Sequence, residues 1–344
     1  MIRLSFYLFS FISFIASCGK KNTPGGGTTN TPPTNLTVSA IVNSNNSGNV
    51  AFTASATNAV SYDYDYGNGV FQTIVSGVVT YRYTASGTYT VNVVAKSQGG
   101  LSISKSIQVS VVVTQALLWS DEFDVDGAPN SGKWGYDIGT GTNGWGNSEL
   151  QYYTSRPENA VVQGGVLKIK AIRESFSGSA FTSSRLLSKG KFSFKYGKIE
   201  VRAKLPVGVG TWPAIWTLGN NINTAGWPAC GEMDIMEHKG SELNKIYGTL
   251  HYPGRSGGNA DGSTKIITNA TTEFHIYSLE WTASFIKIYV DDQLFHTVAN
   301  SPAIPFNQDF FILLNVAMGG TFAGAVDPAF TNSTMEIDYV RVYQ

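Results

Sequence analysis

The segment Lys198-Ile199-Glu200-Val201-Arg202-Ala203-Lys204-Leu205 alternates charged and apolar side chains without a break. Successive side chains of a strand point to opposite faces, so this octet can bury one clean face only as β-structure. The same period of two returns at Tyr89, Val91, Val93 and Ala95, and again at Ile103, Ile107, Val109 and Val111. No stretch of about 12 residues keeps a helical apolar stripe. The 37 glycines, 12 prolines, 17 tyrosines and 19 phenylalanines favour short strands and tight turns. The chain therefore reads as all-β.

At 344 residues it is long enough for two domains. After Arg3, the run from Leu4 to Ala16 is almost wholly apolar but too short to cross a bilayer, and it reads as a signal-peptide core. Residues Ile15-Ala16-Ser17-Cys18-Gly19 resemble a bacterial lipobox, which makes Cys18 the lipidated new N-terminus after residues 1–18 are processed. An ordinary cleaved signal with an incidental cysteine is the alternative. Residues 19–35, GKKNTPGGGTTNTPPTN, carry no large apolar side chain and read as a tether. Residues 36–115 show evenly spaced strand signals and form a first β-sandwich, a spacer or accessory module. Residues 116–344 form a larger antiparallel sandwich. All seven Trp and all four His lie there, so the chemistry is expected there.

Charge excludes some partners. The chain has 24 acids and 24 bases, and charged residues make up 14% of it. Such a chain has no field to hold nucleic acid. Cys18 and Cys230 are the only cysteines, too few for a disulfide framework or a Cys-rich metal cluster, and Cys230 reads as a buried thiol. Gly139-Thr140-Gly141-Thr142-Asn143-Gly144 fits a dinucleotide-loop pattern, but no amphipathic helix follows to receive a pyrophosphate. Catalysis is expected to need no cofactor.

The strongest chemical signal is Gly231-Glu232-Met233-Asp234-Ile235-Met236-Glu237-His238. In a regular strand Glu232 and Asp234 share a face, and Glu237 points to the other. A β-bulge near Ile235 and Met236 would return Glu237 to their side and line one groove with three carboxyls. Like charges so close cannot all ionise, so one carboxyl keeps a proton while another stays an anion, the pairing that glycoside hydrolysis needs. A half-exposed strand with solvated acids is the bland alternative: Glu336-Ile337-Asp338 repeats the step without a second Glu. Trp212, Trp216 and Trp227 just upstream suit the apolar faces of a sugar, although at least one could belong to the core.

GTWPAIW (residues 210–216), GWPACGEMDIMEH (226–238) and GTLHY (248–252) resemble glycoside hydrolase family 16 in order and spacing. So do residues 183–208, LEWT (279–282), FFILLNVAMGG (310–320) and DYVRVY (338–343). Within the family they are most similar to laminarinases, the endo-β-1,3-glucanases. In the first sandwich, YDYDYGNG (62–69) and residues 81–97 resemble the immunoglobulin-like PKD repeat, with Asn68 replacing the usual Asp of its turn.

The resemblance implies a β-jelly-roll with a sugar groove on its concave side. It also implies Glu232 as nucleophile, Glu237 as general acid/base and Asp234 as the carboxyl that tunes Glu232, so that configuration is retained. Trp212 and Trp216 would stack at the cleaved site, and His251 would sit near the acid/base. Asn147 and Arg185 would bind sugar hydroxyls, and Trp227 would serve a more distant subsite. A structural calcium, held away from the groove by Glu122, Gly165 and Asp338, is further implied. The expected protein is thus a monomeric laminarinase, lipid-anchored to the bacterial cell envelope and acting on β-glucan. A sibling enzyme for mixed-linkage glucan, agarose or carrageenan, a transglycosylase, and a carbohydrate-binding protein on a degenerate sandwich are the alternatives.

Overall fold

The computed structural model describes residues 31–344. Cys18, the apolar run before it and most of the tether lie outside the described residues.

A three-stranded sheet (Thr34–Val42, Asn49–Thr57, Val78–Arg82) packs on a four-stranded one (Phe71–Ile74, Ser61–Asp65, Gly87–Lys96, Ser102–Val111). Period two sends Tyr62 and Tyr64, and Val91, Val93 and Ala95, into the core between them. Tyr64 and Tyr83 are fully buried and donate their hydroxyl protons to the carbonyls of Gly77 and Tyr66 at 2.7 and 3.0 Å. In the turn after Tyr66, Gly67 and Gly69 take the left-handed conformations. A Cβ on Gly67 would stand 2.4 Å from the Thr90 carbonyl oxygen, so glycine is required there. Asn68 does not take a positive φ. It donates instead to the Tyr81 hydroxyl at 2.9 Å.

The second unit is a sandwich of a ten-stranded and a seven-stranded sheet, antiparallel apart from one short parallel pair in the larger sheet. The alternating octet falls in the Gly197–Lys204 strand of the larger sheet. Ile199, Val201 and Ala203 are fully buried between the sheets. Their charged neighbours pair outward: Lys198 with Glu200, Arg202 with Asp338, Lys204 with Glu336. The basic run is a solvated sheet face. Among the described residues the α-helices are single turns, Ile222–Ala225 and Gly320–Ala323. After the glycine pattern at 139–144 the chain makes a tight turn with Trp145 and Gly146 at φ 55° and 84°, with no helix for a pyrophosphate to cap.

The seven-stranded sheet runs Asp261–Ile266, Lys245–His251, Glu232–His238, Thr211–Gly219, Phe310–Met318, Arg185–Leu187, Gly135–Asp137. One face packs on the larger sheet and the other forms the candidate groove. The expected calcium residues lie elsewhere. Both carboxylate oxygens of Glu122 accept from Arg341, and Asp338 is paired with Arg202 at 2.5 Å. Both carboxylates are thus committed to guanidinium groups, which does not fit a calcium held by these side chains.

Candidate active site

The acid strand pairs Glu232 with His251, Asp234 with Thr249 and Glu237 with Tyr247. From Asp234 to Glu237 the strand advances three residues while its neighbour advances two. The extra residue is a bulge, and Met233, Ile235 and Met236 are all fully buried in the core. Glu232, Asp234 and Glu237 are therefore brought to the other face together, as the parity of their positions required. Across the adjacent strand they oppose Leu218, Trp216 and Ala214.

Residues in register share a face, so the floor of the groove can be read in rows. One row runs Asp137, Arg185, Asn315, Ala214, Glu237, Tyr247. The next runs Leu187, Leu313, Trp216, Asp234, Thr249, and a third Phe311, Leu218, Glu232, His251. The methyl of Ala214 keeps the floor low between Asn315 and Glu237. The nucleophile end rests on a small apolar cluster of Leu187, Leu218, Cys230, Phe311 and Leu313. Cys230 is fully buried, and burial pushes its thiol up to about 11, so it is a packing residue.

Hydrogen bonds aim each acid. The indole N–H of Trp227 donates to Glu232 Oε2, and that of Trp212 to Glu237 Oε1, both at 3.0 Å. The Thr249 hydroxyl donates to Glu237 Oε2 at 3.4 Å. His251 Nε2 lies 3.2 Å from Asp234 and 3.9 Å from Glu232. The Gly257 N–H donates to its Nδ1 at 3.1 Å, which places the proton of the neutral ring on Nε2, toward the acids.

Burial pushes all three carboxyls up. Glu232 reaches about 8, driven by desolvation and then by the charge of Asp234, with His251 and Arg185 opposing. Asp234 rises well above its ordinary value through burial and the charge of Glu237, and a hydrogen bond to Glu232 works against the rise. Glu237 is raised by burial, with Trp212, His251, Thr249 and Lys239 opposing in that order. Near neutral pH the three acids therefore share protons, and the form with Glu232 ionised and Glu237 protonated, which a double displacement needs, is one of the states they share.

Trp227 and His251 stand elsewhere than expected. Trp227, assigned to a distant subsite, is at the centre, half exposed, with its ring 5.7 Å from that of His251. His251, assigned beside the acid/base, faces Asp234 and Glu232 most closely. Arg185 lies between the rings of Trp145 and Trp216, 4.5 and 4.8 Å from their centroids, and is paired with Asp137 at 3.0 Å. Trp216 donates its N–H to Asn315 at 2.8 Å. The main-chain carbonyl of Asn147 lies beside Gly320, and its side-chain amide donates to Glu149 at 3.3 Å.

Further residues, which form no local motif in the sequence, brace these groups. Glu149 accepts from Gln151 at 2.6 Å and from Tyr153 at 3.2 Å. Asn315 donates to the Tyr153 hydroxyl at 3.0 Å. A hydrogen-bonded chain thus runs from Glu149 through Tyr153 and Asn315 to Trp216. One signal could have found Asn315: it is the single polar residue in FFILLNVAM, a strand buried along its whole length.

A jelly-roll groove with an aromatic wall and three acids on one bulged strand defines a polysaccharide-cleaving enzyme. The family model for glycosyl hydrolases family 16 matches residues 147–341, and that for the PKD domain residues 35–113. A beta-glucanase of Rhodothermus marinus is 45% identical over 245 residues, covering 66% of this chain and 85% of that protein. The X-ray structure of the laminarinase from Rhodothermus marinus superposes with a TM-score of 0.64 at 46% identity, over 67% of this chain and 98% of that one. A LamA variant from Z. galactanivorans in complex with laminaritriose and laminaritetraose gives 0.62 at 45%, over 66% and 98%. The chain belongs to glycosyl hydrolases family 16.

Proposed function

We propose that the protein is a retaining endo-β-1,3-glucanase that cuts laminarin-like glucans. The observation that carries the reading is the bulge at Ile235, which gathers Glu232, Asp234 and Glu237 on the groove face. Glu237 gives its proton to the glycosidic oxygen as the bond from that oxygen to the anomeric carbon breaks, and a Glu232 oxygen bonds to the carbon. Glu237, now an anion, takes a proton from water, whose oxygen displaces Glu232 and restores the original configuration. Asp234 shares a hydrogen bond with Glu232 and leans on its charge, while Trp227 holds the second Glu232 oxygen. Arg185, Trp216, Asn147 and Trp212 line the wall that the sugar would meet.

The β-1,3 preference rests on likeness to the laminarinases above. Incubation with laminarin, lichenan and agarose tests it: laminarin is cut fastest, with the β-anomer first in the NMR spectrum of the products. No sugar released from laminarin would overturn it. Lipidation at Cys18, an anchored place on the cell envelope and action as a single chain complete the reading, supported by the lipobox-like residues 15–19 and the tether after them. Labelling with a radioactive fatty acid, lost in Cys18→Ser, tests the anchor.

A further inference from the structure

One cation on the groove face has no place in this mechanism. Lys239 follows Glu237 by two residues, about 7 Å along an extended chain and on the same side. Its ammonium lies 5.0 Å from the ring centroid of Tyr247, the residue paired with Glu237 across the strand. It lies 4.4 Å from the ring of Phe322, which packs at 4.9 Å on Trp212, the donor to Glu237. Lys239, Phe322, Tyr247 and Trp212 thus wall in one end of the groove.

The charge there is met only in part. Glu242, the acid within ion-pair reach among the described residues, binds Lys245 at 3.0 Å and accepts from Tyr247 at 2.8 Å, leaving Lys239 the longer contact at 3.5 Å. Two lysines share one carboxylate. The other groups around Glu237 are Glu232 and Asp234 on its own strand, His251, Thr249 and Tyr247 on the next, and Trp212 on the other side. None of them is a fixed cation.

We propose that Lys239 is a positioning residue for Glu237, a cation caged by Tyr247 and Phe322 that stabilises the carboxylate left when the acid has given its proton to the leaving oxygen. The inference rests on the glucanase reading above. Opposite charge close to a carboxyl favours its ionised form, and the ring faces keep the ammonium from turning out into water.

The test is the pH profile of kcat/KM for the whole protein on laminarin, whose basic limb reports the acid form of Glu237. Lys239→Met keeps the aliphatic stem and is expected to move that limb up by about half a unit or more. Near neutral pH the rate should fall by up to about threefold, the factor that half a unit represents, and Lys239→Arg should restore the limb. On an aryl laminaribioside whose leaving group needs no proton, the loss should nearly vanish. Glu242→Gln unbalances the pair in the other direction and should move the limb down. An unmoved limb in both Lys239→Met and Glu242→Gln, with only a lower rate or melting temperature, would reduce Lys239 to a wall residue and overturn the inference. Wild-type protein inactive on laminarin would strike the glucanase reading instead.

Discussion

Asp234 and Glu237 are three residues apart in the chain, yet they oppose Thr249 and Tyr247, two residues apart on the neighbouring strand. That mismatch lets a strand, whose side chains alternate, present both to one sugar. The roles it assigns can be separated with azide, a nucleophile that needs no general base. Glu237→Ala should lower laminarin turnover by about 10²- to 10⁴-fold. On an activated aryl substrate, whose leaving group needs no proton, azide should restore turnover and yield a β-glycosyl azide, since the intermediate on Glu232 still forms. Glu232→Ala with azide should give the α-product from an activated aryl substrate, because azide then takes the nucleophile's place. Reversed anomers in the NMR spectra would exchange the two roles.

Crowding the acids costs stability in a defined pH window. Glu232 and Asp234 hold their protons to higher pH in the folded chain than in the unfolded one. From about pH 4 to pH 8 the folded state therefore binds more protons, and stability falls as pH rises. Asp234→Asn removes the Asp234 share of this penalty and the part of Glu232's that comes from its charge. Its melting temperature should exceed that of the wild type by about 3 °C or more at pH 8 and match it at pH 4. Activity should fall in the same variant. An equal shift at both pH values would mean that packing, not ionisation, is responsible.

Trp212 is a donor as well as a wall. Trp212→Phe keeps a ring and removes the N–H that reaches Glu237 Oε1 at 3.0 Å. A hydrogen bond to a charged group contributes about 1.5 to 3 kcal/mol, so kcat on laminarin should drop about tenfold or more. Stopped assays across substrate concentration check this, with KM expected to change less than kcat.

The chain from Glu149 to Trp216 predicts a different split. Asn315→Ala leaves the Trp216 indole and the Tyr153 hydroxyl each short of a partner in a buried strand. The domain should lose about 1 to 3 kcal/mol in denaturant unfolding. KM for laminarin should rise several-fold with kcat nearly kept, because the wall is loosened while the acids stand on another strand.

Much of this centre could be read before folding, and the reason is parity. Alternation at residues 198–205 predicts a half-buried strand, and its charges do pair outward. The odd spacing of Glu237 demands a bulge, and Ile235 and Met236 are buried where it falls. Local pattern cannot tell which distant strand comes alongside. Asn315 meets Trp216 across 99 positions, and Arg185 is stacked between two tryptophans from separate segments. Lys239 looks like any charge at a strand end until Phe322 closes over it. Strand periodicity does not place Trp227, whose indole folds back through a local turn to a carboxyl five residues on.

The expected calcium set yields the last prediction. Calcium binds through converging oxygens, and each must be free to face the ion. Glu122 is engaged by Arg341 through both oxygens, and Asp338 by Arg202. Gly165 offers only a main-chain carbonyl, in a turn with φ 77°. An ion would have to displace a guanidinium or be held by main-chain oxygens, so any rise of the melting temperature in calcium over EDTA should survive Glu122→Gln and Asp338→Asn. A rise of several degrees with calcium, kept in Glu122→Gln and lost in Asp338→Asn, would show that Arg202 yields its carboxylate to the ion.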